Sequence, residues 1–200
     1  MAVICFDLWN TLIQSPTDSD YEGILVGAGV CQTDIYPFVC DQVMNKRIGS
    51  YAQIAELVAK RFGVSKSLAI SVVKVWEQDN TNAQWMVGSL KSLRMVAQNN
   101  RLVLISNVTQ VGWQQVEERL RISVWFEHLV LSWERGMCKP NPMIWTEVSK
   151  QFPEESSFWM VGDSAVDDIH IPKKLGWRTV RVGKHGVSIT QAANIITGGV

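Results

Sequence analysis

The chain has little that would direct it to a nucleic acid, a membrane or a disulfide-built scaffold. Lysine plus arginine and aspartate plus glutamate both number 19, so no global field steers a polyanion, and no dense basic run makes up for it. Nucleic acid is therefore not an expected partner. No apolar stretch is long enough to span a bilayer, and the opening residues lack a basic start and reach a carboxylate at Asp7 too early for a signal peptide. A cytoplasmic protein with no membrane partner is expected. The four cysteines, at positions 5, 31, 40 and 138, form no close pair in sequence, and the three histidines do not stand at metal-finger spacing from them. Reduced, structural thiols are the expectation. Cys138, beside Lys139, has a neighbour that would lower a thiol pKa, yet it too reads as structural. Repeats and low-complexity tracts are absent.

What is present is an ordinary globular composition, 46% apolar and 19% charged, in a chain of 200 residues, enough for one main core plus a modest insertion. Five short runs rich in Val, Ile, Leu and aromatics lie at 3–6, 102–105, 129–131, 158–161 and 179–182. Their hydrophobicity is continuous rather than alternating, which predicts strands buried on both faces of a parallel sheet. The segments between them read as crossover helices. Trp113, Val116 and Leu120 share one helical face, Ile144, Val148 and Phe152 another, and Leu90, Leu93, Val96 and Ala97 a third. The fold class predicted is α/β, a Rossmann-like core with a five-stranded parallel sheet.

The segment from Asp7 to Arg101 is far longer than one crossover needs, so something is inserted there. Helices are expected at 37–45, at 50–62 with Ser50 as N-cap and Gly63 as stop, and at 65–79, with the polar stretch 78–82 as the return linker. The division predicted is a core of residues 1–13 and 86–200 and a helical cap of 14–85.

In open parallel sheets ligands bind beyond the carboxyl ends of the strands. The residues standing there are Asp7, Ser106, Ser132 with the loop running on to Lys139, and Asp163. Alone, each has an ordinary structural use: an aspartate after a strand caps a helix, a serine turns a loop, and a lysine is solvated. Together they predict one crevice. His128, His170 and His185 stand outside this set.

These residues fall in four ordered segments: FDLWNTL at 6–12, LISN at 104–107, KPNP at 139–142 preceded by SWERG at 132–136, and VGDSAVDDI at 161–169. The set resembles the four motifs of the haloacid dehalogenase (HAD) superfamily. The resemblance implies a Rossmann-like core, a helical cap inserted after the first motif, and hydrolysis through a covalent intermediate on an aspartate nucleophile, here Asp7. It implies catalytic support from Ser106, Lys139 and Thr11, and substrate contacts from Trp9, Asn10 and Asn107. Magnesium is the implied cofactor, with Asp7, Asp163 and Asp168 as ligands and Asp167 as a neighbour able to replace Asp168. The partner implied is a small molecule.

One position departs from the pattern. Phosphatases of this superfamily carry a second aspartate two residues after the nucleophile to protonate the leaving oxygen, and here that position is Trp9, which has no titratable group. An aromatic there is similar to the dehalogenase branch, whereas Asp163 and Asp168 keep the acidic site that a metal-dependent phosphohydrolase needs. Three readings stay open: a magnesium-dependent phosphohydrolase with altered acid catalysis, a dehalogenase-like enzyme, and a binding protein that has lost catalysis. Pro172, where the helix after the fourth motif would continue, predicts a kink or a shortening.

Overall fold

The computed structural model describes residues 1–17 and 20–198, so two residues of the expected cap and the last two of the expected core lie outside it. Among the described residues seven strands form: β1 (Ala2–Phe6), β2 (Ile13–Gln14), β3 (Gln84–Trp85), β4 (Asn100–Ser106), β5 (His128–Leu131), β6 (Phe158–Gly162) and β7 (Arg178–Arg181). Five make one sheet in the order β5-β4-β1-β6-β7, and every pairing in it is parallel. The predicted five-stranded Rossmann-like sheet is therefore present.

Alternation along the strands explains the continuous apolar runs. Ile4, Phe6, Leu102, Leu104 and Val161 face one core, while Val3, Cys5, Val103, Ile105 and Met160 face another on the opposite side. Helices cover both faces. On the first pack α5 (Ser89–Ala97), α6 (Gln110–Leu120) and α10 (Ile189–Thr197); on the second packs α8 (Met143–Gln151), with Trp145 fully buried. At roughly 1.5–3 kcal/mol for each large side chain taken from water, these two layers are the main force holding the sheet.

The inserted segment has its own core. It contains α1 (Tyr21–Gly27), α2 (Gln32–Phe38) running into a π-helical turn at Val39–Met44, α3 (Tyr51–Phe62) and α4 (Lys66–Asn82). Leu25, Ile35, Ile54, Val58, Val72 and Trp76 are buried in one cluster there. Helix α3 starts where Ser50 accepts a bond from the Gln53 amide and ends at Gly63, whose φ of 65° is the left-handed geometry glycine adopts freely.

Four expectations need correction. The stretch 78–82 is no linker but the last turn of α4, because Asn80 and Thr81 turn their side chains back onto the carbonyls of Trp76 and Glu77 and prolong the helix. The second cap helix begins at Gln32, with Pro37 inside it, and α1 precedes it unannounced. On α5 the buried face is Ser89, Ser92, Leu93 and Val96, with Ala97 exposed, so two small hydroxyls pack where larger apolar groups were expected. Lastly, the antiparallel pair β2 and β3 clasps the two chain crossings between the inserted helices and the sheet. Pro172 is the second residue of α9 (Ile171–Lys174), which continues directly from a π-helical turn at Ala165–His170, so the helix does not break at the proline. Among the described residues, no helix is long and apolar enough to cross a membrane.

Candidate active site

The strand order fixes the crevice. β1 is central, flanked by β4 and β6, so Asp7, Ser106 with Asn107, and Asp163 leave the sheet side by side at its carboxyl edge. The Asp7 amide donates to Val161 O at 2.9 Å, and the turn after it closes through Leu12 and Ile13 amides bonding to Leu8 O. In that turn Asn10 has φ 58°, a conformation asparagine tolerates better than most residues.

Oxygens of Asp7, Asp163 and Asp168 lie within 4.8 Å of one another. Lys139, on the loop beyond α7 (Ser132–Arg135), reaches in from β5: its Nζ donates to Asp7 Oδ1 at 2.7 Å and to Asp168 Oδ1 at 2.6 Å. Thr11 Oγ1 donates to Asp7 Oδ2 at 3.1 Å, and the Ser164 amide to Asp168 Oδ2 at 3.1 Å. Asp168 is only 1% exposed and Lys139 3%. Gly162 makes the approach of Asp168 possible, since a Cβ there would stand 2.3 Å from the carboxyl carbon.

Three carboxylates share one ammonium, so the cluster carries excess negative charge. Burial pushes the Asp7 carboxyl up to about 7, with Asp168 and Asp163 adding to the rise and Lys139 opposing it. Burial likewise raises Asp163, helped by Asp168 and opposed by Lys139. Burial alone would lower Lys139, yet the attraction of Asp168 and Asp7 prevails and holds it charged, above its usual value. A dication with oxygen preference fits this donor set, because it would favour the ionised form of each carboxyl.

A cleft of about 630 Å³ opens over the cluster, lined among others by Asp7, Trp9, Asn10, Asn107, Lys139 and Asp163. Asn107 clamps the lysine loop: its Oδ1 accepts from the Lys139 amide at 2.7 Å and its Nδ2 donates to Lys139 O at 3.0 Å. Ser106 and Thr11 are buried and do not line the cleft, and the Ser106 hydroxyl, unlike that of Thr11, has no partner among the described residues. Of the two neighbouring acids, Asp168 joins the cluster while Asp167 accepts a bond from Tyr36 Oη at 2.8 Å. Tyr36 comes from α2 and also accepts from Asn107 Nδ2 at 3.3 Å, so the inserted helices touch the site through a residue the sequence reading passed over. No motif marks it, because its place depends on how two packed units dock.

A parallel sheet with helices on both faces, an acidic cluster at its carboxyl edge and a buried lysine paired to it define a Rossmann-like α/β protein with an acidic crevice. Residues 136–195 match the HAD-hydrolase-like family model. A HAD family enzyme from Bacteroides thetaiotaomicron, crystallised with magnesium and inorganic phosphate, superposes with a TM-score of 0.66 at 19% identity, covering 92% of this chain and 95% of that one. A 2-haloacid dehalogenase from Pseudomonas syringae superposes with a TM-score of 0.62 at 16% identity, each chain being covered in full at 100%. In sequence, a glyceraldehyde 3-phosphate phosphatase from Pyrococcus furiosus is 37% identical over 78 residues, 36% of this chain and 31% of that protein, so the match spans about a third of the relative's length. In fold the chain is similar to these HAD structures, and its match to the HAD-hydrolase-like family model is confined to residues 136–195.

Proposed function

We propose that this protein is a magnesium-dependent phosphohydrolase acting on small phosphorylated metabolites in the cytoplasm, with Asp7 as nucleophile, residues 14–85 as its cap and acid catalysis altered at Trp9. The observation that carries the reading is the convergence of Asp7, Asp163 and Asp168 oxygens within 4.8 Å around a buried lysine. A haloacid reaction would use Asp7 but gives Asp163 and Asp168 no task, since halide leaves without a proton and needs no metal, whereas a phosphoryl group brings negative charge that must be neutralised. The phosphatase activity named for the archaeal relative, and the magnesium and phosphate held by the Bacteroides enzyme, point the same way.

The chemistry follows from the side chains. The Asp7 carboxylate attacks phosphorus, the leaving oxygen departs, and water then cleaves the aspartyl phosphate, so one hard displacement becomes two easier ones. Lys139 offsets the charge on the transferring group and keeps Asp7 oriented through its 2.7 Å bond, with Thr11 fixing the other carboxylate oxygen. Ser106, at the end of β4, has a free hydroxyl to offer once the cleft closes on a substrate. Asn107 holds the lysine loop in register, and Trp9 and Asn10 line the cleft where the substrate's remainder would lie. Asp7, Asp163 and Asp168 would hold the magnesium ion, which supplies charge neutralisation between nucleophile and phosphate.

The test is calorimetry of magnesium binding in wild type and Asp163→Asn, together with a screen of acyl phosphates, phosphate esters and 2-haloacids with and without magnesium. The expected outcome is phosphate release that requires magnesium, and binding weakened at least tenfold by the substitution. Halide release without metal, or equal magnesium affinity in both proteins, would sink the proposal.

A further inference from the structure

Two thiols far apart in sequence meet at the contact between the inserted helices and the core. Cys40 lies on the π-helical turn Val39–Met44, and Cys138 immediately precedes Lys139. Cys138 Sγ donates to Cys40 O at 3.5 Å, which sets the Cys138 thiol against the backbone of Cys40. The contact is built in rather than incidental. From the same turn, Met44 O accepts from Ser132 Oγ at 2.7 Å, which pins the turn to the start of α7. Cys40 is 8% exposed and Cys138 half-buried, so a small oxidant can reach the pair while a bulky thiol meets a barrier. The other two cysteines have different surroundings: Cys5 is sealed in the sheet, and Cys31 is exposed on the surface.

We propose that Cys40 and Cys138 form a reversible disulfide, an oxidative modification site that ties the inserted helices to the loop carrying Lys139. The oxidant is a hydroperoxide such as hydrogen peroxide. The Cys40 thiolate attacks one peroxide oxygen, the O–O bond breaks, and Cys40 becomes a sulfenic acid as hydroxide leaves. The Cys138 sulfur then attacks the sulfenic sulfur, the S–O bond breaks, and a second hydroxide leaves with the two thiol protons accounting for two waters. Two thiols lose two electrons and peroxide gains them. The roles follow from the environment: the Cys138 thiol draws the Cys40 thiol below its usual pKa, against the effect of burial, while Cys40 and burial hold Cys138 above its own. Cys40 thus takes the thiolate role, and Cys138, expected to be structural, takes the second. A reversible, sensing disulfide is the kind found in reducing compartments.

The test treats the full chain with hydrogen peroxide, alkylates the remaining thiols and maps the digest without reduction. The expected result is a fall from four alkylatable cysteines to two, a cross-linked peptide pair containing Cys40 and Cys138, and return to four with dithiothreitol. Cys40→Ser and Cys138→Ser should each abolish the cross-link, and Cys31→Ser should leave it intact; circular dichroism checks that each variant is folded. A wild-type digest in which Cys31 is oxidised while Cys40 and Cys138 stay alkylatable overturns the proposal, and so does a cross-link to any other cysteine. The readout is thiol chemistry alone, so it stands or falls separately from the phosphohydrolase reading.

Discussion

Trp9 stands where the proposed phosphoryl transfer would need an acid for the leaving group, and its indole supplies no proton. Its backbone pairs with Ile13 in an isolated bridge, and its indole lines both the main cleft and a neighbouring cavity of about 160 Å³ shared with Tyr21, Met44 and Trp76. The ring therefore packs toward the inserted helices, beside the cluster of Asp7, Lys139, Asp163 and Asp168. Leaving groups that depart without a proton, such as acyl phosphates and nitrophenolate, should be favoured over alkyl alcohols. Replacing Trp9 by Asp should then raise turnover of an alkyl phosphate on the order of tenfold or more, with a smaller gain for nitrophenyl phosphate, since only the former needs the restored acid. Steady-state kinetics on both substrates decide it, with circular dichroism to check that loss of the indole has not opened a disabling void. A folded variant with no selective gain would mean that another residue already serves as the acid.

At the level of elements, the sequence reading reached the sheet because buried parallel strands announce themselves as unbroken apolar runs, and it reached Asp7 and Asp163 because each ends such a run. It missed β2 and β3, which are two residues long and held by pairing rather than pattern, and it ended α4 early because side-chain bonds to the helix backbone leave no mark in hydropathy. Thr11 beside Asp7 lies within one local turn and was legible; Tyr36 over Asp167 and Cys40 against Cys138 depend on docking and were not. At the seam between β5 and α8, His128 lies against Phe152 and Glu147. Burial pushes His128 below its usual pKa, with Arg135 adding to the fall and Glu147 opposing it. The unfolded chain then takes up a proton at a higher pH than the folded one. Stability contributed here is full above about 6.5, where neither state is charged, and declines as pH falls from there toward the folded value. Urea midpoints of wild type and His128→Gln, measured between about pH 5 and 8, should diverge in slope, with the variant losing less stability at the acid end. Parallel pH profiles would show that His128 titrates alike in both states.

The molecule as a whole consists of apolar cores whose boundary is mainly polar, with Val111 of α6 also packed against the inserted cluster. Two clusters sandwich the sheet, and a third, built from α1 to α4 and the turn after α2, lies in the inserted segment. Across the boundary run hydrogen bonds: Tyr36 to Asp167, Tyr51 to Gln115 at 2.6 Å, Ser132 to Met44, and Arg119 to the carbonyls of Asn80 and Ala83 at 3.1 and 3.2 Å. Such bonds exchange readily with water, each contributing about 1 kcal/mol net, whereas apolar burial within each unit contributes far more. The inserted helices should therefore open and unfold as a unit against a sheet that stays formed, which is what a cleft that must admit substrate and then exclude water requires. Ile54, fully buried at the centre of the inserted cluster, tests this. Ile54→Ala should cost the insertion roughly 2–5 kcal/mol. Hydrogen exchange followed by mass spectrometry should then show faster exchange across 21–82, while the amides of β1, β4 and β6 keep their wild-type protection. Faster exchange spread evenly over sheet and insertion would mean one cooperative unit, and the cleft would then have to open by sliding of side chains rather than by movement of a cap.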